Sequence, residues 1–204
     1  RVLFRSKVNN QLANGQSANQ ITLTVVDSYG NPLQGQNVTL TLPKGVTSKT
    51  GNTVTTNAAG KADIELISTV AGELEIAAAV KNSQKTVTVK FNADASTGQA
   101  NLQVDTAVQK VANGKDAFTL TATVEDKNGN PVPGTLVTFN LPRGVKPLTG
   151  DNVWVKANDE GKAELQVVSV TAGTYEITAS AGNDQPSDAQ TITFVADKDR
   201  KSTR

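Results

Sequence analysis

The sequence repeats itself. Ala13-Asn14-Gly15 returns as Ala112-Asn113-Gly114. Asp27-Ser28-Tyr29-Gly30-Asn31-Pro32 returns as Asp126-Lys127-Asn128-Gly129-Asn130-Pro131, and Leu42-Pro43-Lys44-Gly45-Val46 as Leu141-Pro142-Arg143-Gly144-Val145. All three pairs share an offset of 99 residues. Further matches follow in the same order. Gly60-Lys61-Ala62 pairs with Gly161-Lys162-Ala163 at an offset of 101, and Val89 and Phe91 pair with Ile192 and Phe194 at an offset of 103. Between them, Ala71-Gly72 and Leu74-Glu75-Ile76 match Ala172-Gly173 and Tyr175-Glu176-Ile177. Chance does not give so many ordered matches, so the 204 residues hold two homologous units. The shifts in offset fall between periodic segments, where loops absorb insertions. A unit of about 100 residues buries its own core, unlike one repeat of a solenoid. The expected division is a first domain at 1–94, a linker at 95–101, a second domain at 102–197 and a charged tail at 198–204. The stretch Ala95-Ser96-Thr97-Gly98-Gln99-Ala100 is small and polar, and Asp197 to Arg204 is dense in charge of both signs.

Each unit is patterned for strands. Ile21, Leu23 and Val25 alternate with threonines, as do Leu120, Ala122 and Val124. The same period of two runs through Val38, Leu40, Leu42 and Val137, Phe139, Leu141. It returns at Ala62, Ile64, Leu66 with Ala163, Leu165, Val167, and at Leu74, Ile76, Ala78 with Tyr175, Ile177, Ala179. Val87, Val89, Phe91 and Ile192, Phe194 close the two copies. Period two with polar residues on the other face is a half-buried strand. Gly-Asn-Pro and single glycines punctuate the runs, and no segment has a helical period. With a first strand expected near Val8 to Leu12, each copy has about seven strands at the spacing of an immunoglobulin-like β-sandwich. The chain is therefore expected to be all-β, two such sandwiches in tandem. An odd number of antiparallel strands puts a domain's termini at opposite ends. Strands of seven to ten residues make each domain a few nanometres long, at about 3.3 Å per residue, so copies in series are expected to lie end to end as a rod.

Composition removes several kinds of function. Cysteine and histidine are absent, so there is no disulfide, no thiolate or imidazole metal ligand and no imidazole base. The net charge of +1 gives no field for a nucleic-acid partner. No stretch approaches the ~18 consecutive apolar residues of a membrane span. Arg1 to Arg5 lacks the apolar core of a signal peptide, which fits either a cytosolic chain or a piece of a longer exported one.

The ordered set Ala-Asn-Gly, Asp-x-x-Gly-Asn-Pro, Val-Thr, Leu-Pro-x-Gly-Val, Asn-x-x-Gly-Lys-Ala and Ala-Gly-x-(Leu/Tyr)-Glu-Ile resembles the bacterial Ig-like (Big-1) domains of the intimin/invasin adhesins, over nearly the whole chain and twice. In the second copy the Asn-x-x-Gly-Lys-Ala set, Asn158 to Ala163, is expected to carry one extra residue. The resemblance implies an extracellular passenger of a Gram-negative outer-membrane protein, exported behind a β-barrel, whose full length meets a host cell-surface or matrix receptor. It implies a scaffold of neighbouring Ig-like domains and no cofactor. In that family receptor contacts lie in lectin-like terminal domains, which the motifs of these two units do not resemble, so no contact residues are expected to carry over. The fragment is expected to be monomeric.

Four residues are candidates for partner contacts. Trp154 is the sole tryptophan, with Thr55 near its place in the first copy. It can stack on a sugar or anchor a partner, or pack at a sheet edge. Tyr29 sits at an expected hairpin tip. Asp159 and Glu160 form an acidic loop where the first copy has Ala58-Ala59. As paired carboxylates they could serve acid–base chemistry, but no nucleophile motif accompanies them, and a solvated loop is the plainer reading. Asp126-Lys127-Asn128-Gly129 begins like a calcium loop, yet Thr135 stands where that loop needs glutamate and Tyr29 breaks the pattern in copy one. A hairpin turn with a self-bonded aspartate is expected instead. Lys90 near Asn92 invites comparison with intramolecular isopeptide bonds, although nothing specifies the carboxylate. With eight aromatics in the chain, an extended sugar-binding platform is disfavoured. Three functions compete on this reading: a stalk that projects an adhesive tip, a receptor- or glycan-binding module with its patch near Trp154, and, most remote, an enzyme. The sequence favours the first and a non-enzymatic role.

Overall fold

A computed structural model describes residues 1–182 and 185–199. Arg200 to Arg204, most of the expected charged tail, therefore lie outside the described residues. The chain divides into two compact units, Arg1–Asp94 and Ala95–Arg204.

The first unit contains β1 (Val2–Val8), β2 (Gln11–Leu12), β3 (Asn19–Val25), β4 (Asn37–Thr41), β5 (Val46–Ser48), β6 (Thr53–Thr55), β7 (Lys61–Ser68), β8 (Gly72–Val80) and β9 (Ser83–Asn92). They form a four-stranded sheet in the order β1-β3-β7-β5 and a five-stranded sheet in the order β2-β9-β8-β4-β6. The second unit repeats this with β10 (Gln99–Val104), β11 (Lys110–Val111), β12 (Phe118–Glu125), β13 (Leu136–Asn140), β14 (Lys146–Pro147), β15 (Trp154–Lys156), β16 (Lys162–Val168), β17 (Gly173–Ala181) and β18 (Gln190–Val195). Its sheets run β10-β12-β16-β14 and β11-β18-β17-β13-β15.

Nine strands stand where the periodicity predicts about seven, and the difference has one cause. The chain crosses each unit seven times, but two of those passes change sheets midway. The first pass leaves the four-stranded sheet after Val8, where Asn10 takes a positive φ of 62° and breaks the ladder. It resumes as β2, parallel to β9 in the other sheet. The predicted strand from Val8 to Leu12 straddles this break, and the main first strand lies earlier, at Val2–Val8. The fourth pass runs as β5 beside β7, turns at Gly51 with φ 89°, and continues as β6 beside β4. Gly150 marks the same change in the second unit.

The registers also show where each unit begins and ends. Val2 lies beside Val25, whose N–H bonds the Gly60 carbonyl, so the chain starts at the pole holding the Asp27 and Asn57 turns. Phe91 lies beside Gly72 and Gln11 at the other pole. In the second unit Gln99 lies beside Glu125, and Phe194 beside Gly173 and Lys110. Each unit thus receives the chain at one pole and releases it at the opposite one.

The predicted inward faces are the cores. Ile21, Leu23, Val38, Leu40, Ile64, Leu66, Ile76, Val89 and Phe91 are buried in one cluster of the first unit. Their counterparts in the second include Leu120, Val137, Phe139, Val167, Ile177, Ile192 and Phe194, all buried. Phe118 joins them, edge-on to Phe194 with ring centroids 5.2 Å apart. Burial of such side chains contributes roughly 1.5–3 kcal/mol each.

Three local expectations are corrected. Gln99, Ala100 and Asn101 fall in the expected linker but belong to β10, because Ala100 is a core residue opposite Val124. Ala95–Thr97 before it form a single 3-10 turn. The Asn57–Gly60 and Asn158–Gly161 turns close with equivalent bonds, Gly60 N–H to the Asn57 carbonyl and Gly161 N–H to Asn158, so the second carries no extra residue. The insertion lies upstream. Lys49 and Leu148 make equivalent bonds to β7 and β16, as do Leu40 to Asn52 and Phe139 to Val153, which leaves Thr149–Asn152 as the lengthened loop.

Candidate functional site

Trp154 lies on β15, the edge strand of the five-stranded sheet of the second unit. Val155 points inward and is half-buried, so Trp154 and Lys156 project from the outer face, with Trp154 57% exposed. A two-residue alternation allows nothing else once Val155 points inward. The register sets Trp154 opposite Thr138 and Lys156 opposite Leu136. This corrects the copy-one equivalence. Thr53, opposite Thr39, holds the place of Trp154, and Thr55, opposite Asn37, that of Lys156. The strand is held at its start by the Trp154 N–H donating to Asn152 Oδ1 at 3.0 Å.

Leu136, diagonal to Trp154 across the β13–β15 pair, is 52% exposed. Diagonal neighbours on one sheet face lie within reach of aromatic side chains. Next inward on the same face are Thr138, Asn140, Thr178 and Ser180. Asn140 Nδ2 donates to Thr178 Oγ1 at 2.9 Å and to Ser180 Oγ at 3.3 Å. The second unit therefore presents a tryptophan and a leucine beside neutral hydroxyl and amide groups. The first unit presents Asn37, Thr39, Thr53 and Thr55 at the equivalent places. Leu136 was missed in the sequence, although the inward run Val137, Phe139, Leu141 already points residue 136 outward.

The other candidates stand apart. Asp159 and Glu160 are exposed in the turn after β15, with Glu160 4.0 Å from the Lys162 ammonium. That turn is built by Asn158, whose Oδ1 accepts the N–H groups of Glu160 and Lys162 at 2.9 and 3.0 Å. Both carboxylates face solvent, and no nucleophile is bonded to either among the described residues. Tyr29 is 91% exposed at the tip of the Asp27–Gly30 turn, in the other unit.

The Asp-x-x-Gly-Asn-Pro segments are hairpin turns. Asp27 Oδ1 accepts the N–H groups of Tyr29 and Asn31, each at 2.9 Å, and Oδ2 accepts Asn31 Nδ2 at 3.1 Å. Asp126 makes the same bonds with Asn128 and Asn130. Each carboxylate thus braces its own turn. The Asn31 N–H, then its side-chain amide, hold the Asp27 carboxyl below its ordinary value. Asp63 is also lowered, first by the Thr22 hydroxyl, which donates to Oδ1 at 2.7 Å, with Lys7 adding attraction at 3.5 Å. Lys90 stands opposite Glu73 on the outer face, both exposed, whereas an isopeptide bond is made by a buried pair. Open grooves flank each starting pole. One of about 310 Å³ lies between Arg1, Leu33 and the Val80–Ser83 hairpin, and one of about 260 Å³ between Gln99–Asn101 and Gln185–Asp188.

The sheet orders and the sheet-switching passes define a class: tandem immunoglobulin-like β-sandwiches. The profile of the bacterial Ig-like domain (group 1) matches residues 1–92 and again 99–195. The chain belongs to that family, as a tandem pair of intimin/invasin type. It is 36% identical over 193 residues to the inverse autotransporter adhesin YeeJ of Escherichia coli K12, covering 91% of this chain but 8% of that protein. Among solved structures, InvD of Yersinia pseudotuberculosis aligns over 99% of this chain and 60% of its own, with a TM-score of 0.66 at 19% identity, a likeness of fold. Invasin, a bacterial integrin-binding protein, aligns over 97% of this chain and 40% of its own at 26% identity and a TM-score of 0.47.

Proposed function

We propose that this chain is a spacer segment of a bacterial surface adhesin, part of an elongated stalk that projects an adhesive tip from the outer membrane toward host cells. The observation that carries the reading is the poles. Each unit takes the chain in at one end and lets it out at the other, which suits a unit added in series. Separate cores support the reading, since a spacer is built by adding self-sufficient units. The named relative is an adhesin much longer than this chain, which accords with a repeated internal segment. The family match and the adhesin relative support a non-enzymatic role.

The test is replacement within the parent adhesin. Exchanging residues 1–195 for two unrelated sandwiches with opposite poles is expected to preserve attachment to host cells. Loss of attachment with unchanged surface display would sink the spacer reading.

A second reading rests on the Trp154–Leu136 face, which the first unit lacks. Here the second unit contacts a receptor or glycan directly, with Tyr29, Asp159 and Glu160 as lesser contacts. The isolated chain would then bind host cells at low micromolar concentration, and Trp154→Ala would weaken that binding about tenfold or more, as for a buried aromatic anchor. Absence of saturable binding by the unmodified chain would dismiss it.

A further inference from the structure

The two units differ where the first pass meets the last strand. In the first unit only Asn9 and Asn10 connect β1 to β2, and both are bonded to β9. Lys90 N–H donates to Asn9 Oδ1 at 3.0 Å, Asn10 N–H to the Lys90 carbonyl at 3.0 Å, and Asn92 Nδ2 to the Asn10 carbonyl at 3.1 Å. Asn19 on β3 is fully buried beneath this junction. Its Nδ2 donates to the Lys90 carbonyl at 2.9 Å and to Asn9 Oδ1 at 3.2 Å, while its Oδ1 accepts the Gln11 N–H at 3.1 Å. Ala13 N–H closes the set on the Asn92 carbonyl at 2.7 Å.

Among the described residues the second unit has little of this. Val8 beside Gln20 answers to Asp105 beside Thr119, and Gln11 beside Phe91 to Lys110 beside Phe194. Four residues, Thr106 to Gln109, therefore span the place of two. Asn19 is replaced by Phe118 and Asn92 by Val195, and Val108 in the connection is 89% exposed. The Ala112 N–H still reaches the Val195 carbonyl at 2.8 Å, but Asp116 takes the Val111 N–H at 2.8 Å, tying β11 to its own loop. The last strand is also less engaged. β9 is registered with β8 at nine positions, β18 with β17 at five among the described residues. The first-pass ladders do not discriminate, with six registered positions for β1 on β3 and six for β10 on β12.

Tension on the ends of the chain acts on this junction. Since each unit is entered at one pole and left at the other, and since β2 runs parallel to β9 and β11 to β18, pulling drives these partners in opposite directions along their own axes. The bonds between them then resist together, and forced unfolding is governed by the barrier that they raise. Units joined in one chain feel the same force. We propose that the pair is mechanically ordered: under tension the second unit yields first and pays out its chain, while the Asn9–Asn19–Asn92 junction keeps the first unit folded. The order holds whatever the parent protein binds, so it does not rest on the spacer reading.

Single-molecule pulling of the whole chain between its ends tests this. Two populations of rupture force are expected. A Leu12→Cys/Asn92→Cys pair, oxidised, cross-links β2 to β9 at a registered position and takes the chain between them, residues 13–91, out of the force path. The chain has no other cysteine. The higher-force population should disappear and the lower remain. Disappearance of the lower population instead, or a single population in the unmodified chain, overturns the proposal. In the uncross-linked chain Asn9→Ala should shift only the higher-force population downward, toward the lower one. A higher-force population that stays in place would equally overturn it.

Discussion

The aspartates show how much one side chain settles in a fold made of turns. Asp27 accepts three hydrogen bonds from its own hairpin, and Asp63 accepts from Thr22 and Lys7 across neighbouring strands. Both carboxyls are lowered from 3.8, by the Asn31 bonds and by the Thr22 hydroxyl respectively. A folded-state value below the unfolded one stabilises the fold above the unfolded value, and that stabilisation is lost as pH falls through the folded value. Both contributions should therefore be intact at neutral pH and vanish at pH below 3.8. Carboxyl-carbon NMR titration should find Asp63 below its ordinary value, and Thr22→Val should move it upward. An unchanged titration would remove the hydroxyl as the cause. The turn role of Asp27 was legible in the sequence because an aspartate before Gly-Asn-Pro serves its own backbone. The company of Trp154 was less so. The tryptophan stood out as a departure from the repeat, but its equivalence to Thr53 and its diagonal with Leu136 follow from a cross-strand register, which no stretch of one strand encodes.

At the scale of elements, the long strands announced themselves and the short ones did not. β7 and β8 bury alternate residues within runs of eight and nine positions, and β3 buries its apolar residues alternately over seven, enough for the period to show. β5 and β6 have three residues each and β2 two, too few to display a period, and they exist because neighbouring strands offer an open ladder. Buried polar residues were hidden for a related reason. Asn19 sits on an alternating strand, yet it is fully buried and serves three backbone or side-chain groups. Asn19→Ala strands the Gln11 N–H and leaves the Lys90 carbonyl one donor short, so chemical denaturation should show a loss of about 1–3 kcal/mol in the first unit. A loss below a few tenths would mean that water replaces the amide freely. The turn glycines make an independent case. Gly161 has φ 75°, and a Cβ there would lie 2.7 Å from the Val124 carbonyl oxygen. Gly161→Ala should cost more than the ~1 kcal/mol of left-handed backbone strain alone, and a near-neutral melting shift would show that the turn relaxes.

For the whole molecule the decisive property is that each unit closes its own sheets. Among the described residues no sheet draws strands from both halves of the chain, so the hydrophobic clusters can be perturbed one at a time. Phe118 provides the lever. It is 1% exposed, stacked edge-on to Phe194, and stands where the first unit has Asn19. Phe118→Ala removes a large side chain from a closed core, at a cost of about 3–5 kcal/mol. For a domain of this size each kcal/mol moves the melting point by about 4–8 °C, so the second unit's transition should fall by more than about 10 °C. The first unit shares no strand with it, and its transition should stay within error of the unmodified chain. Calorimetry of the full chain reads both at once. If the two transitions moved together, the units would fold as one cooperative block. A spacer made of self-sufficient repeats could then no longer be inferred from two closed pairs of sheets.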